Sequence, residues 1–277
     1  MKKHPCFLIP LLVSACLAGS PASTIAADFD QAEITKVHQE VKVLKADAAP
    51  RKASEGQQIK PVTSVATGAG SRAELRFPDR TLTRLGANSR FTLRGGSRTL
   101  DLDRGVMMVQ VPKRQGGAQI RTAGVTAAVT GTTVLIEYHP GGVVKLIVIE
   151  GECVLTLNRD RGEFQTLRAG QMITMQDGAG SIPAPQNIDL GRLLQSSRLI
   201  SANDPAQPNQ QQIQNAMQMQ QQLITSGDLL GGNVVLQNPG VTIGLSNNTT
   251  SNVVTPPVVP VPAGHHEPGI PGMPPTP

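Results

Sequence analysis

The sequence contains very few aromatic residues. Among 277 residues there is no tryptophan, one tyrosine and five phenylalanines. Sites for sugars and for single-stranded nucleic acids commonly stack their ligand on aromatic side chains, so this composition counts against both kinds of site. Hydrophobic residues still make up 39% of the chain, which suffices for a core built mainly of valine, isoleucine, leucine and alanine.

Cysteine is also scarce, with three residues. Cys6 and Cys16 lie in the N-terminal segment, which leaves Cys153 alone and excludes an internal disulfide framework. Cys153 alternates with Leu155 and Leu157. We interpret it as a small buried hydrophobic residue rather than a nucleophile.

Motifs for catalysis and metal binding are missing. The sequence has no P-loop, no dinucleotide-binding glycine motif, no His-Glu-x-x-His, no Cys-x-x-Cys and no Gly-x-Ser-x-Gly. Asp101 and Asp103 share one face of a short extended segment, where a solvated edge is a simpler interpretation than glycosidase chemistry. His265 and His266 lie in a low-complexity tail that supplies no fixed ligand geometry. We predict a protein without enzymatic activity, metal or cofactor, and the scattered basic residues predict no nucleic-acid partner.

Residues 1–27 are predicted to be a signal peptide. Basic residues precede an apolar stretch over residues 6–18, which as a helix would span about 20 Å, short of the ~30 Å hydrocarbon core. The sequence Val-Ser-Ala-Cys before and at Cys16 resembles a lipobox, in which Cys16 becomes a lipidated N-terminus. Small residues before Asp28 equally suit ordinary signal peptidase. We expect an exported protein of the periplasm, outer membrane or cell surface, attached to a membrane only if Cys16 is lipidated.

Residues 28–186 have the pattern of a β domain. Polar and apolar residues alternate over residues 72–77, and turn signals separate such segments at intervals of about 8–12 residues. Residues 106–111 form a nearly continuous apolar run that predicts a strand buried on both faces. The predicted fold is all-β, either an irregular β-solenoid or a β-sandwich of short antiparallel-type strands.

The sequence changes character after the β domain. Leucine spacing over residues 187–200 predicts a short helix that seals an open end of the β domain. Residues 201–277 are rich in glutamine, asparagine and proline and are predicted to be a disordered low-complexity tail outside the packed core. Within the tail, residues 207–222 could form a partial helix and residues 233–248 a weak hairpin.

Several motifs in order over residues 43–175 resemble the FecR-like periplasmic domain family. They include a strand-turn element at residues 73–80, a Leu-x-x-Gly element at residues 102–105, a Glu-Gly corner at residues 148–151 and an Ala-Gly-Gln corner at residues 167–171. Residues 120–132 carry the most specific piece, a threonine- and alanine-containing strand that ends in Gly-Thr.

Five positions of these motifs are interpreted as architectural. They are Thr122, Gly131, Thr132, Gly151 and Gly170. The glycines suit strand corners, where a positive φ or a close backbone approach favours a residue without a side chain. We expect none of the five to bind a ligand.

The resemblance implies a solenoid-like or sandwich-like module. The founding type of the family passes a signal from an outer-membrane transporter to a cytoplasmic sigma factor. From this sequence we expect neither a cytoplasmic anti-sigma segment nor an inner-membrane helix. We predict a module that binds, scaffolds or signals by contact with unidentified envelope proteins through exposed sheet edges or loops. Alternatives are a structural surface or matrix protein that works through its Gln/Pro-rich tail, and a glycan- or peptidoglycan-binding module.

Overall fold

The computed structural model describes residues 27–200, 209–226, 234–236 and 243–245. The expected signal peptide, with Cys16, therefore falls outside the described residues apart from its last position. Within these ranges, no helix combines the length and the apolar character needed to cross a membrane.

The described β domain consists of two sheets that share one long strand. In chain order the strands are β1 (Ala32–His38), β2 (Val41–Lys45), β3 (Ala48–Lys52), β4 (Gln58–Ile59), β5 (Thr63–Thr67), β6 (Arg72–Arg76), β7 (Leu82–Leu85), β8 (Arg90–Leu93), β9 (Thr99–Gln110), β10 (Ala118–Arg121), β11 (Val125–Val129), β12 (Thr133–Tyr138), β13 (Val143–Glu150), β14 (Glu152–Leu157), β15 (Phe164–Arg168), β16 (Gln171–Gln176) and β17 (Gln186–Asn187). Sheet A has the order β4-β1-β6-β7-β9-β12-β13-β16-β17, with antiparallel neighbours throughout. Sheet B has the order β3-β2-β5-β8-β9-β10-β11-β14-β15, in which only the β9–β10 pair is parallel.

Strand β9 belongs to both sheets. Its first half pairs with β8 and β10, and its second half pairs with β7 and β12. Gly105 lies at the change of sheet with a φ of 93°, a conformation that is costly for residues with a side chain. A Cβ atom at Gly105 would also collide with Ser89. The Leu-x-x-Gly element of the sequence therefore marks the point where the chain passes from one sheet to the other.

The two sheets pack face to face around one core. Alternate side chains of sheet B, such as Val65 and Phe91, share this core with Leu75, Met107 and Ile136 of sheet A. Such alternation follows from the two-residue period of a strand, which directs every second side chain to the same face. Of the two architectures that the sequence left open, the structure adopts an open β-sandwich.

Two helices, α1 (Leu190–Ser196) and α2 (Gln210–Ser226), pack on the other face of sheet A. Val106 and Met108 contact this helical layer, whereas Met107 and Val109 lie in the sandwich core. The apolar run over residues 106–111 is thus buried on both faces, which confirms the prediction made from its composition.

The helical layer differs from the sequence-based expectation in the position of α1. Helix α1 begins after Asp189, whose side chain caps it by accepting a hydrogen bond from Arg192 N, but it covers the face of sheet A rather than an open end. Its buried leucines require a broad apolar surface, and the face of the sheet supplies it. Helix α2 agrees with the partial helix considered for residues 207–222, although the segment as a whole was expected to be disordered. Ile213 of this helix is buried against the same face.

A further antiparallel pair follows the helices. Strands β18 (Val234–Leu236) and β19 (Ile243–Leu245) pair with each other, in agreement with the hairpin considered for residues 233–248. The remaining predictions for the tail concern positions outside the described residues.

Candidate functional site

Several family-motif positions meet at one corner of the sandwich. Gly131 and Gly151 have φ values of 60° and 84°. A Cβ atom on Gly151 would lie 2.8 Å from Thr132 Oγ1 and 3.0 Å from the Gly131 carbonyl oxygen. The Thr132 hydroxyl lies 3.0 Å from the Thr130 carbonyl oxygen and 2.9 Å from that of Glu152, so it can donate to either. The Thr132 hydroxyl thus links the residues just before β12 to the first residue of β14.

Gly170 adjoins the same region, and Thr122 lies in a different turn. Gly170 has a φ of 79°; its N–H donates to Val148 O, and its carbonyl accepts from Ile188 N, both at 2.8 Å. Thr122 lies between β10 and β11, where its Oγ1 accepts a hydrogen bond of 3.1 Å from Val125 N. These contacts are all within the fold, and the architectural role of the five motif positions remains our interpretation.

Buried charges form ion pairs on the helix-facing side of sheet A. Arg84 Nε lies 2.8 Å from Glu74 Oε2, and Lys145 Nζ lies 3.3 Å from Glu137 Oε2. Burial lowers the pKa of Lys145, and the charge of Glu137 opposes that effect.

In the part of the chain that the structure describes, no group of three or more His, Cys, Asp or Glu side chains is placed to hold a metal ion. Cys153 is buried as predicted, and burial raises the pKa of its thiol to about 12.

The two acids weighed for glycosidase chemistry are held by hydrogen bonds near the middle of sheet B. Asp101 accepts hydrogen bonds from Arg94 and from Arg121 Nε, the latter at 2.7 Å. Asp103 accepts a hydrogen bond of 2.6 Å from the Thr92 hydroxyl. Both carboxylates therefore have partners on neighbouring strands.

A groove of about 330 Å³ lies between β1, β6 and the segment that follows α1. Its charged lining residues are Lys36, Arg72, Arg84, Arg198, Glu55 and Glu74. Within it, Glu74 is paired with both Arg84 and Lys36, the latter at 3.5 Å. The excess of basic side chains makes this groove a positively charged surface.

Each sheet ends in two edge strands, and three of the four described edges carry features that discourage pairing with another chain. Strands β4 and β17 are only two residues long. Strand β3 is fully exposed and contains Pro50, Arg51 and Lys52. Shortness, proline and charge are the means by which proteins protect sheet edges. Strand β15 has five residues and no proline.

The free side of β15 presents backbone hydrogen-bonding groups. The Leu157 N–H donates to the carbonyl oxygen of Glu163, the residue before β15, at 3.2 Å. This bond shows which residues of β15 direct their backbone groups toward β14. Because bonded and non-bonded positions alternate along an antiparallel pair, the backbone N–H and C=O groups of Phe164, Thr166 and Arg168 point away from β14. Of these groups, the Arg168 N–H donates to Gln171 Oε1 at 2.8 Å.

The side chains of the same three residues lie on the outer face of sheet B. Leu167 is buried in the core, whereas Phe164, Thr166 and Arg168 are exposed. Phe164 is 59% exposed, which is unusual for a large apolar side chain on a strand. Arg168 Nε lies 3.5 Å from Glu152 Oε2 in a solvent-exposed ion pair. The edge thus combines outward-directed backbone groups, an exposed aromatic ring and an exposed cation.

Sequence reasoning placed a strand here but did not single out Phe164. Phe164 and Leu167 are three residues apart, and residues at an odd separation point to opposite faces of a strand. With Leu167 in the core, Phe164 has to be exposed. This spacing was the signal available in the sequence.

Comparisons with known proteins found one family match and similar solved structures. Residues 63–153 match the model of a family described as FecR protein. Two crystal structures of a putative anti-sigma factor from Parabacteroides distasonis ATCC 8503, at 1.65 and 2.50 Å resolution, are similar to the chain with TM-scores of 0.41 and 0.40. Each is 18% identical to this chain over 47% of its length and 62% of their own, so the match spans less than two thirds of those proteins.

No curated protein matches the sequence. The family match runs from the start of β5 into β14 and therefore includes the central strands of both sheets and the Gly-Thr and Glu-Gly corners. Residues 63–153 of this chain therefore carry the match to the FecR family.

Proposed function

We propose that this protein is an exported, non-enzymatic envelope protein whose FecR-type domain binds other proteins in a signalling or scaffolding role. The single observation that carries the proposal is the edge of β15, where unpaired backbone groups lie beside exposed Phe164. An extended segment that adds to this edge would extend sheet B by one strand. Backbone hydrogen bonds would provide affinity, and contacts to the outward side chains would provide selectivity.

The other chemical features support a binding role. The buried ionic groups Glu74, Arg84, Glu137 and Lys145 are paired with each other. The thiol of Cys153 is enclosed in the core. A reaction needs a group of matched pKa within reach of a substrate, and these groups are engaged inside the fold. The basic and apolar pattern of residues 1–27, which is typical of a signal peptide, supports the proposal that the protein is exported.

The test is photo-cross-linking in the native host. A photoreactive benzoylphenylalanine replaces Phe164 or Thr166 in the full chain, and the matched controls carry it at Ala128, exposed on the inner strand β11, or at Ala49 on the protected edge β3. We expect specific adducts from the two β15 positions and none from the controls. Equal labelling from all four positions would refute a contact at this edge.

A second experiment addresses the role of the tail. Removing residues 227–277 while retaining α2 should leave the β15 adducts unchanged if the domain makes the contact. Loss of the adducts, together with capture of the same partner by the isolated tail, would favour the structural surface or matrix alternative.

A further inference from the structure

We propose that the partner of β15 is a second copy of this chain, joined antiparallel about a twofold axis that passes beside Thr166. The inference rests on the proposed function, because it requires that β15 accept an added strand. It goes further by naming the occupant. Each copy would contribute the same surface, as in other symmetric dimers.

The backbone of β15 is compatible with this symmetry. Its three outward-directed residues, Phe164, Thr166 and Arg168, are spaced evenly about Thr166. Antiparallel pairing about this centre places Thr166 opposite its counterpart and Phe164 opposite Arg168 of the second copy. All three of these pairs are of the type that exchanges two hydrogen bonds. The Arg168 N–H, which now donates to Gln171 Oε1, would transfer to the added strand.

The side chains are complementary in the same register. Phe164 would face the guanidinium of Arg168 from the second copy on the outer surface of the joined sheets, an arrangement that favours a cation–π contact. Thr166 would face Thr166, a cross-strand pair that is favourable in sheets. No position brings like charges directly opposite each other, and Glu152 remains beside Arg168 of its own chain.

The symmetry also explains why this edge, which carries the charge of Arg168 but is neither very short nor interrupted by proline, is less protected than the other three. An unprotected edge usually exposes a protein to open-ended aggregation. A twofold pair is closed, because each β15 edge is used by the other. The terminal strands that would remain in the two sheets are β3, β4 and β17, which are short or contain proline and charge. Residues 173–176 of β16, which extend past β17, would also keep one side without a paired strand.

The first test uses charge at the twofold axis. Thr166→Lys or Thr166→Glu places identical charges opposite each other, while the exposed position leaves the monomer fold intact. Sedimentation velocity over a concentration series should show reversible dimerisation of the full chain and roughly tenfold weaker association of either variant. An equimolar mixture of the two variants should regain association, since lysine would then face glutamate. Ala128→Lys on β11 is the matched control and should associate like the unmodified chain.

A second test uses a cysteine at the same position. Opposed residues of a hydrogen-bonded pair have Cα atoms about 5.5 Å apart, within the range of a disulfide. In a background with Cys6 and Cys16 replaced by serine, Thr166→Cys should form a covalent dimer on oxidation, whereas Ala128→Cys should not. Cys153 is buried and takes no part.

The outcomes separate this inference from the proposed function. A chain that stays monomeric at every concentration, or whose dimer is insensitive to charge at Thr166, overturns self-pairing. In that case, photo-adducts at β15 with a different protein would still support contact at this edge. Absence of adducts at β15, including adducts of dimer mass, would remove the proposed function as well.

Discussion

Glu74 on β6 and Arg84 on β7 lie directly opposite each other, and both are almost fully buried on the helix-facing side of sheet A. Their carboxylate and guanidinium groups are 2.8 Å apart. Arg84 also donates to the carbonyl oxygen of Leu199 at 3.1 Å, while Glu74 accepts from the Thr35 hydroxyl at 2.8 Å. The pair therefore connects β1, the centre of the sheet and the segment that follows α1.

Removing one member of this pair should destabilise the protein strongly. Glu74→Ala leaves a buried guanidinium without its principal counter-charge, and such changes typically cost about 3–5 kcal/mol. The free energy of unfolding in urea provides the measurement. Lys42→Ala is the matched control, because its ion pair with Glu40 is solvent-exposed and contributes little to stability. Similar losses in the two variants would contradict the structural role given to the buried pair.

Gly151 should tolerate no side chain. Its φ of 84° already disfavours other residues, and a Cβ atom would lie within 3.1 Å of both Thr132 and Gly131. We expect Gly151→Ala to lower the free energy of unfolding by more than about 2 kcal/mol. Gly56 has a φ of 80° with nothing within 4 Å of the added Cβ atom, so Gly56→Ala should cost only about 1 kcal/mol. Equal thermal destabilisation in both variants would mean that the corner can relax.

Local patterns in the sequence were sufficient to predict the strands and some of their environments. The run over residues 106–111 required two apolar faces, and the structure supplies both. Gly105 could be recognised in the sequence as the end of the Leu-x-x-Gly element. That it lies where β9 passes between the sheets depends on β7, β8, β10 and β12, which come from other parts of the chain. The choice between solenoid and sandwich therefore could not be made from local periodicity.

The location of the candidate site likewise could not be predicted from the local sequence. Phe164 could be identified as exposed from its spacing to Leu167, but only the strand order shows that β15 has a free edge. Composition allowed a partial helix at α2 but could not show that the helix packs on the sheet, because a glutamine-rich sequence suits both a solvated tail and a packed helix. Gln220 is buried while Gln221 beside it is exposed, and that difference depends on where α1 lies.

Stability should respond to the protonation of Glu150. This side chain is buried, and burial raises its pKa above 4.5, although Lys113 and Asn209 oppose the effect. A raised pKa means that the folded state keeps a proton which the unfolded state has released. The corresponding stabilisation is complete below pH 4.5 and is lost as the pH rises through the folded-state pKa.

The measurement compares the unmodified protein with Glu150→Gln across this pH range. The free energy of unfolding of the unmodified protein should fall relative to that of the variant as the pH rises, by about 1.4 kcal/mol for each tenfold difference in proton affinity between the two states. Glu152→Gln, at an exposed neighbouring position, should track the unmodified protein. A constant difference between the unmodified protein and Glu150→Gln would show that Glu150 ionises equally in both states.

The packing of helix α2 against the start of α1 should depend on Gln220. Gln220 is 7% exposed; its Oε1 accepts from Leu190 N at 2.9 Å, and its Nε2 donates to Ile188 O at 2.6 Å. Gln220→Ala would leave these two backbone groups unpaired beneath the helix, at a cost of about 1–3 kcal/mol. Because this side chain fastens α2 to the start of α1, the loss should open α2 locally rather than unfold the sandwich.

Hydrogen exchange followed by mass spectrometry tests this directly. In Gln220→Ala, peptides within Gln210–Ser226 should exchange roughly tenfold faster or more, while peptides from β9, β12 and β13 keep their protection. Gln221→Ala serves as the matched control, since Gln221 is exposed and its replacement removes no contact to sheet A or α1. Alanine favours a helix at least as well as glutamine does, so faster exchange in both variants would mean that the effect does not come from the buried hydrogen bonds of Gln220. Unchanged exchange in Gln220→Ala would show that Gln220 does not hold the helix in place.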